Sequence, residues 1–457
     1  MSEDTARENA FLTAPLGAIF ARTALPIIFV MSMSGLLTVV DAIMLGLYVG
    51  TDAVGAVTTV FPIFILTVAL STLVAGGMAS LLARHLGARR FAEARSIFAG
   101  AHLLALAIAA GLILLFAAFG EQLVLTLANG PGPLARMAKG YIAILIVCSP
   151  VQLLLAIHSD ALRCEGRTGL MAGLSLMVSL ANIALNYVLI APFGMGVAGS
   201  AAATVLAQAL ALALIVLFRL AGRTELRLAA IFRHNPLAGW KGMVALGSPQ
   251  SLGFLGMALV SVTVMAALQK TATASYDTTV AAYGIITRIM TFALLPLLGL
   301  SQAMHAIVGN NIGAGLKDRA DRALRFALLL ALAYCLAVEV VLAGLARPIA
   351  AVFVGDEPVI ADVARIMPVM VAMYLVSGPL IVLGSYFQAI GDAGRAAILG
   401  LSKPYLFTMP LIALYASRFG ERGIWFATPT AEALLLVVAM LVLWQASRQR
   451  AVAGRAS

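Results

Sequence analysis

The sequence predicts an all-α membrane protein whose twelve transmembrane helices form two six-helix bundles related by a parallel pseudo-two-fold repeat. Three observations predict this fold class. The composition is strongly apolar, twelve apolar runs are each long enough to span a bilayer, and landmarks of the first six runs recur about 226 residues later. Of the 457 residues, 62% are hydrophobic and 11% are charged. A soluble domain carries about 25% charged residues, so the composition excludes a soluble enzyme and a disordered chain.

The apolar runs define the predicted spans, because a transmembrane helix needs about 20 apolar residues. The twelve spans cover residues 17–48, 52–83, 94–119, 135–162, 168–191, 197–220, 240–269, 278–311, 322–346, 359–388, 394–417 and 423–446. The stretch 221–239 is basic and amphipathic, which predicts a cytoplasmic linker lying along the membrane surface. The predicted domains are therefore an N-terminal bundle (1–220), the linker (221–239) and a C-terminal bundle (240–457).

The basic residues predict the orientation of these spans. The chain has 30 Lys and Arg against 20 Asp and Glu, a formal net charge of +10. With a cytoplasmic N-terminus, 21 of the 30 basic residues fall in cytoplasmic segments and 7 in external ones. Cytoplasmic loops are enriched in Lys and Arg, so we expect a multi-pass protein of the cell (cytoplasmic or inner) membrane with both termini in the cytoplasm. This distribution explains the net charge without a nucleic-acid partner.

An internal repeat relates the two halves. The sequence VGAV at 54–57 opens the second span, and VAAY at 280–283 opens the eighth, 226 residues later. The same offset separates LGA at 86–88 from IGA at 312–314, where these two spans end. Because six spans lie between equivalent points, both halves start on the same side, and the repeat is parallel with its axis along the membrane normal. Two such bundles are expected to enclose a central cavity near the bilayer midplane.

Four polar residues of the first bundle are the main candidates for cation or proton coupling. Ionisable residues at membrane depth are costly and mark functional sites by default. Counting about 1.5 Å per residue from the predicted outer helix ends puts Asp41, Asn182, Asn186 and Thr204 at about the same depth. The carboxylate, amide and hydroxyl oxygens of these residues are suitable ligands for Na⁺. A low-dielectric pocket disfavours the ionised form of the Asp41 carboxyl, so the carboxyl could instead carry a proton. The alternative is that these residues only bond helices together.

The second bundle is not expected to hold an equivalent ion site. The repeat offset of 226 residues places Ala267, Thr408 and Ile412 at the positions equivalent to Asp41, Asn182 and Asn186. Candidate cavity or substrate residues are weaker: Gln152, Gln208, Tyr283, Gln302, Arg288 and Glu339. For Arg288 and Glu339, a structural ion pair is an equally open interpretation. Pro26 interrupts the first span and is the predicted hinge. No cofactor is indicated, and no metal site beyond Na⁺ at Asp41.

Short motifs along the chain then point to a family. In the first half they are LP at 25–26, VDAIMLG at 40–46, LGA at 86–88, LRxxGR at 162–167, NxxxNY at 182–187 and GxxGSA at 196–201. In the second half they are AxxG at 281–284, LP at 295–296, GNNxGA at 309–314, QAxGD at 388–392 and GIW at 423–425. In this order and spacing the chain resembles the MATE (multidrug and toxic compound extrusion) transporters from about residue 17 to 446.

The resemblance implies a secondary active multidrug efflux antiporter. Such a protein exports a small-molecule drug or toxic organic cation in exchange for H⁺ or Na⁺ by alternating access. It implies xenobiotic transport and antibiotic resistance, by a lipid-embedded protein that we expect to be a monomer. The acidic residue that the family has in span 1 and the polar residues it has in span 5 fall here on Asp41, Asn182 and Asn186.

Two other functions compete with this interpretation. A lipid-linked saccharide flippase of a related fold would need more intramembrane cations for a pyrophosphate than Arg288 and Lys403. An intramembrane enzyme would need a catalytic pattern, and the sequence has no His-Glu zinc motif, no Gly-x-Ser-x-Gly and no pair of membrane aspartates. We therefore expect a transporter that is not an enzyme.

Overall fold

The computed structural model describes residues 9–128, 130–222, 224–271 and 276–456, and this part of the chain is almost entirely helical. Arg7 and Arg223, which count among the cytoplasmic basic residues above, lie outside the described residues. The helices are α1 (Ala10–Thr13), α2 (Leu16–Tyr48), α3 (Thr51–Gly87), α4 (Phe91–Leu127), α5 (Pro133–Val147), α6 (Ser149–Cys164), α7 (Thr168–Ile190), α8 (Gly196–Leu220), α9 (Ala229–Arg233), α10 (Trp240–Thr271), α11 (Tyr276–Gly313), α12 (Lys317–Gly344), α13 (Ala346–Phe353), α14 (Glu357–Val371), α15 (Tyr374–Ile390), α16 (Ala393–Leu401), a π-helix (Ser402–Thr408), α17 (Met409–Phe419) and α18 (Glu421–Ala456).

Twelve spans are confirmed once two bent helix pairs are each counted as one span. In the described ranges, ten helices are long and apolar enough to cross a membrane, and α16, the π-helix and α17 together make one of them. The pairs α5 with α6 and α14 with α15 are each bent by 48° at a short break. They are the fourth and tenth spans, which correspond in the predicted repeat. The two halves therefore also share a helix bend, at equivalent positions and with the same angle.

The two bends have different local causes. Pro150 stands in the first turn of α6 and cannot donate a backbone hydrogen bond across the break. The break between α14 and α15 contains Met373 with a φ of 73°, a left-handed conformation that is uncommon for a residue other than glycine. A similar bend is thus produced by unlike sequences.

The chain forms two compact units. One contains the described residues up to Ser251 together with His305–Ala320 and Ala389–Gly391. The other contains Leu252–Met304, Asp321–Gln388 and the residues from Asp392 onward, as far as they are described.

In the first unit, the linker is anchored in the protein interior. Leu226 is fully buried in a core that also contains Met78 of α3, Phe98 of α4 and Ile157 of α6. Arg219, at the end of α8, donates to the Leu226 carbonyl at 3.0 Å and forms an ion pair with Glu165 at 3.2 Å. Trp240 donates from Nε1 to the Gly100 carbonyl of α4 at 2.9 Å. Thr224 and Leu226 are buried, whereas the other linker residues whose burial is described are exposed or half-buried, so the position of the linker along the membrane surface stays a prediction.

The short helix α1 is also fixed to the first unit. Asn9 donates from Nδ2 to Asn310 Oδ1 at 2.8 Å, and Asn311 donates to the Phe11 carbonyl at 3.1 Å. Phe11 is buried, and Arg319 donates to its carbonyl at 3.3 Å. The segment before the first span is therefore held at the end of the eighth span and the start of the ninth.

Close backbone contact joins α3 to α11 in the first unit, at the ends of the second and eighth spans. A Cβ added at Gly87 would lie 2.0 Å from the Asn310 carbonyl oxygen, and one at Gly313 would lie 2.0 Å from the Arg84 carbonyl oxygen. Gly87 and Gly313 are related by the 226-residue offset of the repeat. Small residues let helix backbones approach each other within membranes. The two equivalent helix ends thus contact each other reciprocally, and we call this contact the glycine crossing.

The glycine crossing predicts a selective effect of one methyl group. We expect Gly313→Ala to destabilise the protein by about 1–3 kcal/mol, because the new Cβ would overlap a backbone oxygen that cannot move alone. Gly111→Ala in α4 is the matched control, since nothing lies within 4 Å of its Cβ position. The measurement is the thermal midpoint of the detergent-purified protein. Equal midpoints for the two variants would contradict the contact.

Candidate functional site

Helices α2, α7 and α8 bring the four predicted coupling residues together. Asp41 lies on α2, Asn182 and Asn186 lie on α7, and Thr204 lies on α8. The two asparagines are one turn apart and are both buried, while Asp41 and Thr204 are half-buried. Residues that are 145 positions apart in sequence are thus in direct contact in the structure.

A continuous chain of hydrogen bonds connects these four side chains. Asn186 Nδ2 donates to Asp41 Oδ1 at 2.6 Å and to Asn182 Oδ1 at 3.0 Å. Asn182 Nδ2 donates to Thr204 Oγ1 at 3.1 Å, and that hydroxyl donates to the Ser200 carbonyl at 3.1 Å. Buried amides require such partners, and a charge-assisted bond to a carboxylate is stronger than a neutral one. The chain therefore connects the charge state of Asp41 to the backbone of α8.

The Asn182 amide fits its surroundings in two orientations, and each suits a different charge of Asp41. In the arrangement above, the amide oxygen of Asn182 faces Asp41 Oδ1, and two acceptor atoms at that separation need a proton or a cation between them. After a half-turn of the amide, its nitrogen donates to Asp41 Oδ1 at 3.0 Å and its oxygen accepts from Thr204 Oγ1 at 3.1 Å. The first orientation suits a protonated or cation-bound carboxyl, and the second suits a bare carboxylate.

One further atom of this site points to a ligand. Asn186 Oδ1 is buried and has no hydrogen-bond partner. A buried acceptor without a donor is costly unless something else satisfies it. The carboxylate of Asp41, the two amide oxygens and the hydroxyl of Thr204 form an all-oxygen set with one negative charge. Such a set can hold a proton or a hard monovalent cation such as Na⁺.

The other predicted site residues have no described hydrogen bond to these four side chains. Glu339 Oε2 accepts from the backbone N–H of Leu375 at 2.6 Å. Within the described ranges, no ion pair joins Glu339 to Arg288, which is exposed on α11. Tyr283 is buried, with its ring centroid 5.9 Å from that of Trp425. The three predicted glutamines are half-buried on α6, α8 and α11: Gln152, Gln208 and Gln302.

Two polar pairs were missed by sequence reasoning. Lys403 of the π-helix forms an ion pair with Glu432 of α18. Both residues lie a comparable number of positions from Gly420, which separates their two spans, so opposite charges at similar depth in adjacent spans were the available signal. His102 and His158 are both buried, with their Nε2 atoms 3.3 Å apart. Nothing in their spacing of 56 residues indicates this contact.

Comparison with known proteins adds a family match. The family model described as MatE matches residues 26–188 and 249–414. Among curated proteins, an FAD transporter of Shewanella oneidensis is 26% identical over 435 residues, covering 93% of this chain and 94% of that protein. A protein of Mus musculus named multidrug and toxin extrusion protein 2 is 24% identical over 439 residues, covering 93% of this chain and 72% of that protein.

Solved structures share the fold. A structure described as the outward-facing conformation of a multidrug resistance MATE family transporter of the MOP superfamily aligns with a TM-score of 0.88 at 21% identity. The alignment covers 98% of this chain and 99% of that one.

The oxygen set around Asp41 predicts a cation-dependent stability. We expect the thermal midpoint of the purified protein to rise on mild acidification or on addition of Na⁺, because a ligand that binds the folded state more tightly than the unfolded state stabilises the fold. The gain is about 2.7 kcal/mol at 100 times the dissociation constant. Asp41→Asn is expected to abolish the effect, and Asp52→Asn, an exposed aspartate of α3, to preserve it. An equal rise in Asp41→Asn would show that the ligand binds elsewhere.

Proposed function

Because the chain belongs to the MatE family, whose members are transporters and not enzymes, we propose that it is a secondary active efflux antiporter. It exports amphipathic, often cationic organic compounds in exchange for H⁺ or Na⁺. The observation that carries the proposal is the hydrogen bond of Asn186 to the Asp41 carboxyl, deep in a bundle of membrane spans. A carboxyl in such a place is costly unless it binds an ion during function.

Two connections between α2 and α7 suggest how ion binding changes the shape of the protein. Pro26 has no N–H, so the Arg22 carbonyl one turn earlier has no donor within α2. Thr168, at the start of α7, donates to this carbonyl at 3.0 Å. Nineteen residues after Arg22 on α2, Asp41 accepts from Asn186, which lies on the same helix α7 as Thr168. When a proton or Na⁺ neutralises Asp41, this outer connection weakens while the Thr168 connection holds, and α2 bends at Pro26.

The substrate class is drawn from the relatives and from the intramembrane charges. The mouse relative is named for multidrug and toxin extrusion, which favours organic drugs. The Shewanella relative is named an FAD transporter, so an anionic flavin dinucleotide is the second candidate. A pyrophosphate-linked flippase substrate is disfavoured because the other intramembrane cation, Lys403, is paired with Glu432. We also propose that the protein is a monomer in the cytoplasmic membrane, with both termini in the cytoplasm.

Dye efflux from inverted vesicles tests the coupling. We expect the wild type to move ethidium, a permanently charged cationic dye, when a pH or a Na⁺ gradient is imposed alone, and the gradient that works identifies the ion. Asp41→Asn should abolish efflux at equal protein abundance, and Asp52→Asn should retain it. Normal efflux by Asp41→Asn would refute the site. FAD in place of ethidium decides between the two substrate classes.

The hinge is tested by a proline variant. We expect Pro26→Ala to lower the efflux rate on the order of tenfold, or about 1.4 kcal/mol in the barrier, because alanine restores the hydrogen bond within α2 and stiffens it. Pro62→Ala changes a proline inside α3 and serves as the control. If both variants transport like the wild type, bending at Pro26 is not part of the cycle.

A further inference from the structure

We propose that helix α1, together with Asn9, is a latch that holds span ends together on one side of the membrane and must release when the protein opens on that side. We call this segment the α1 latch. The inference rests on the proposed alternating-access antiport and adds an element to its cycle. All the contacts that carry it lie within the first unit. In the predicted orientation, the side concerned is the cytoplasmic one.

The ends of three spans meet in the first unit, close to α1. The glycine crossing joins the end of α3 to the end of α11. Arg84 of α3 also donates from its guanidinium to the carbonyl of Ile390, the last residue of α15, at 3.4 Å. A Cβ added at Gly391 would lie 2.0 Å from the same guanidinium nitrogen. A pathway that opens between the two halves of the chain on this side requires these contacts to separate.

The α1 latch contacts both halves of the chain at this place. Phe11 is 3% exposed, and its ring lies against the turn after α6, where a Cβ added at Gly166 would be 3.4 Å from the ring carbon Cε2. The backbone carbonyl of Phe11 accepts from Asn311 of α11 at 3.1 Å and from Arg319 of α12 at 3.3 Å. The side chain of this residue is therefore held by the first half and its backbone by the second.

Further hydrogen bonds connect the α1 latch to the second half. Asn9 donates from Nδ2 to Asn310 Oδ1 at 2.8 Å, and its own Oδ1 accepts from the N–H of Phe11 at 3.1 Å, which caps the helix. Arg319 also donates to the carbonyl of Ala14, directly after the helix. A helix of four residues is not stable alone in water. These contacts therefore determine whether α1 is formed.

The partners of the α1 latch keep other hydrogen bonds when it leaves. Asn310 and Asn311 each donate from Nδ2 to a carbonyl of their own helix, Ala306 at 2.8 Å and Ile307 at 2.7 Å. The other released groups lie at the ends of spans, where water can replace the protein partner. Of the four residues of α1, all of them described, Phe11 is the buried one. One side chain thus supplies most of the apolar contact of the latch.

The α1 latch is directly connected to the hinge helix. Two residues separate α1 from α2, so the first turn of α2 cannot move far while α1 is bound. The part of α2 before Pro26 is thus fixed by the α1 latch and by the bond from Thr168 to the Arg22 carbonyl. Neutralisation of Asp41 therefore bends the outer part of α2, and release of the latch is a separate step that frees the inner part.

Double electron–electron resonance on the lipid-reconstituted protein tests the latch without any substrate. Spin labels at Arg90→Cys and Lys317→Cys, two exposed residues just beyond the glycine crossing, report the separation of the span ends in a Cys148→Ser background, since the other cysteines are buried. We expect Phe11→Ala to raise the longer-distance population on the order of tenfold, because the apolar contact is lost. Thr13→Ala, at an exposed residue of the same helix, is the matched control. Equal distance distributions for the two variants would overturn the inference.

A reversible cross-link separates this inference from the proposed function. Asn9→Cys and Asn310→Cys, whose native side chains are in contact, are joined in the Cys148→Ser background by a short bismethanethiosulfonate that dithiothreitol removes. We expect cross-linking to lower ethidium efflux from inverted vesicles at least about tenfold, which is 1.4 kcal/mol or more in the barrier, and dithiothreitol to restore it. Each single variant, treated in the same way, should keep its untreated rate.

The outcomes of the cross-linking experiment are distinct. If the cross-linked protein transports as fast as after dithiothreitol, the latch does not need to release, and the inference is wrong. If the wild type itself shows no efflux driven by a pH or Na⁺ gradient, the proposed function fails. The distance measurement, which needs no substrate, then decides alone whether the α1 latch holds the span ends together.

Discussion

A carboxylate within a bilayer must be neutralised, and the polar interior of this protein is arranged around that requirement. Asp41 is held by the amide of Asn186, Glu432 by the ammonium of Lys403, and Glu339 by the Leu375 N–H in the first turn of α15. These are three different solutions in one chain. Only the second removes the charge outright, and in the first we propose that the coupling proton or cation does so. The first of these bonds also joins two spans whose contacting residues are 145 positions apart in the sequence.

Backbone N–H and C=O groups within the membrane must also be hydrogen-bonded inside the protein, because the lipid hydrocarbon has no hydrogen-bonding groups. Pro26 releases the Arg22 carbonyl, which Thr168 satisfies, and the break at Met373 releases an N–H, which Glu339 satisfies. At Pro26 the irregular backbone lies on the same helix as Asp41, whereas at Met373 the carboxylate that satisfies the freed N–H comes from another helix, α12.

The fold was predictable because span length and depth follow from a fixed rise per residue. Twelve spans, the repeat and the family resemblance are confirmed. Counting also predicted the common depth of Asp41 and Asn186, whose contact the structure contains, while their coupling role stays a prediction. The sequence does not fix the rotation of a helix about its axis, so it does not show which side chains of adjacent spans face each other. The pairing of Lys403 with Glu432 was missed for this reason. The burial of Leu226 was not predicted either, because the amphipathic pattern of the linker does not show which of its apolar residues contact protein.

The anchoring of that linker decides where the polypeptide could be cut into two co-expressed fragments. A cut after Leu220 would place Leu226 and the backbone that Arg219 binds on the fragment that lacks their pocket. A cut between Arg233 and Trp240 leaves the pocket filled, and it turns the bond from Trp240 to the Gly100 carbonyl into a recognition contact between fragments. The chain has three tryptophans, so this contact also places a natural fluorophore at the junction. Reassembly of a split transporter could then be followed without any added label.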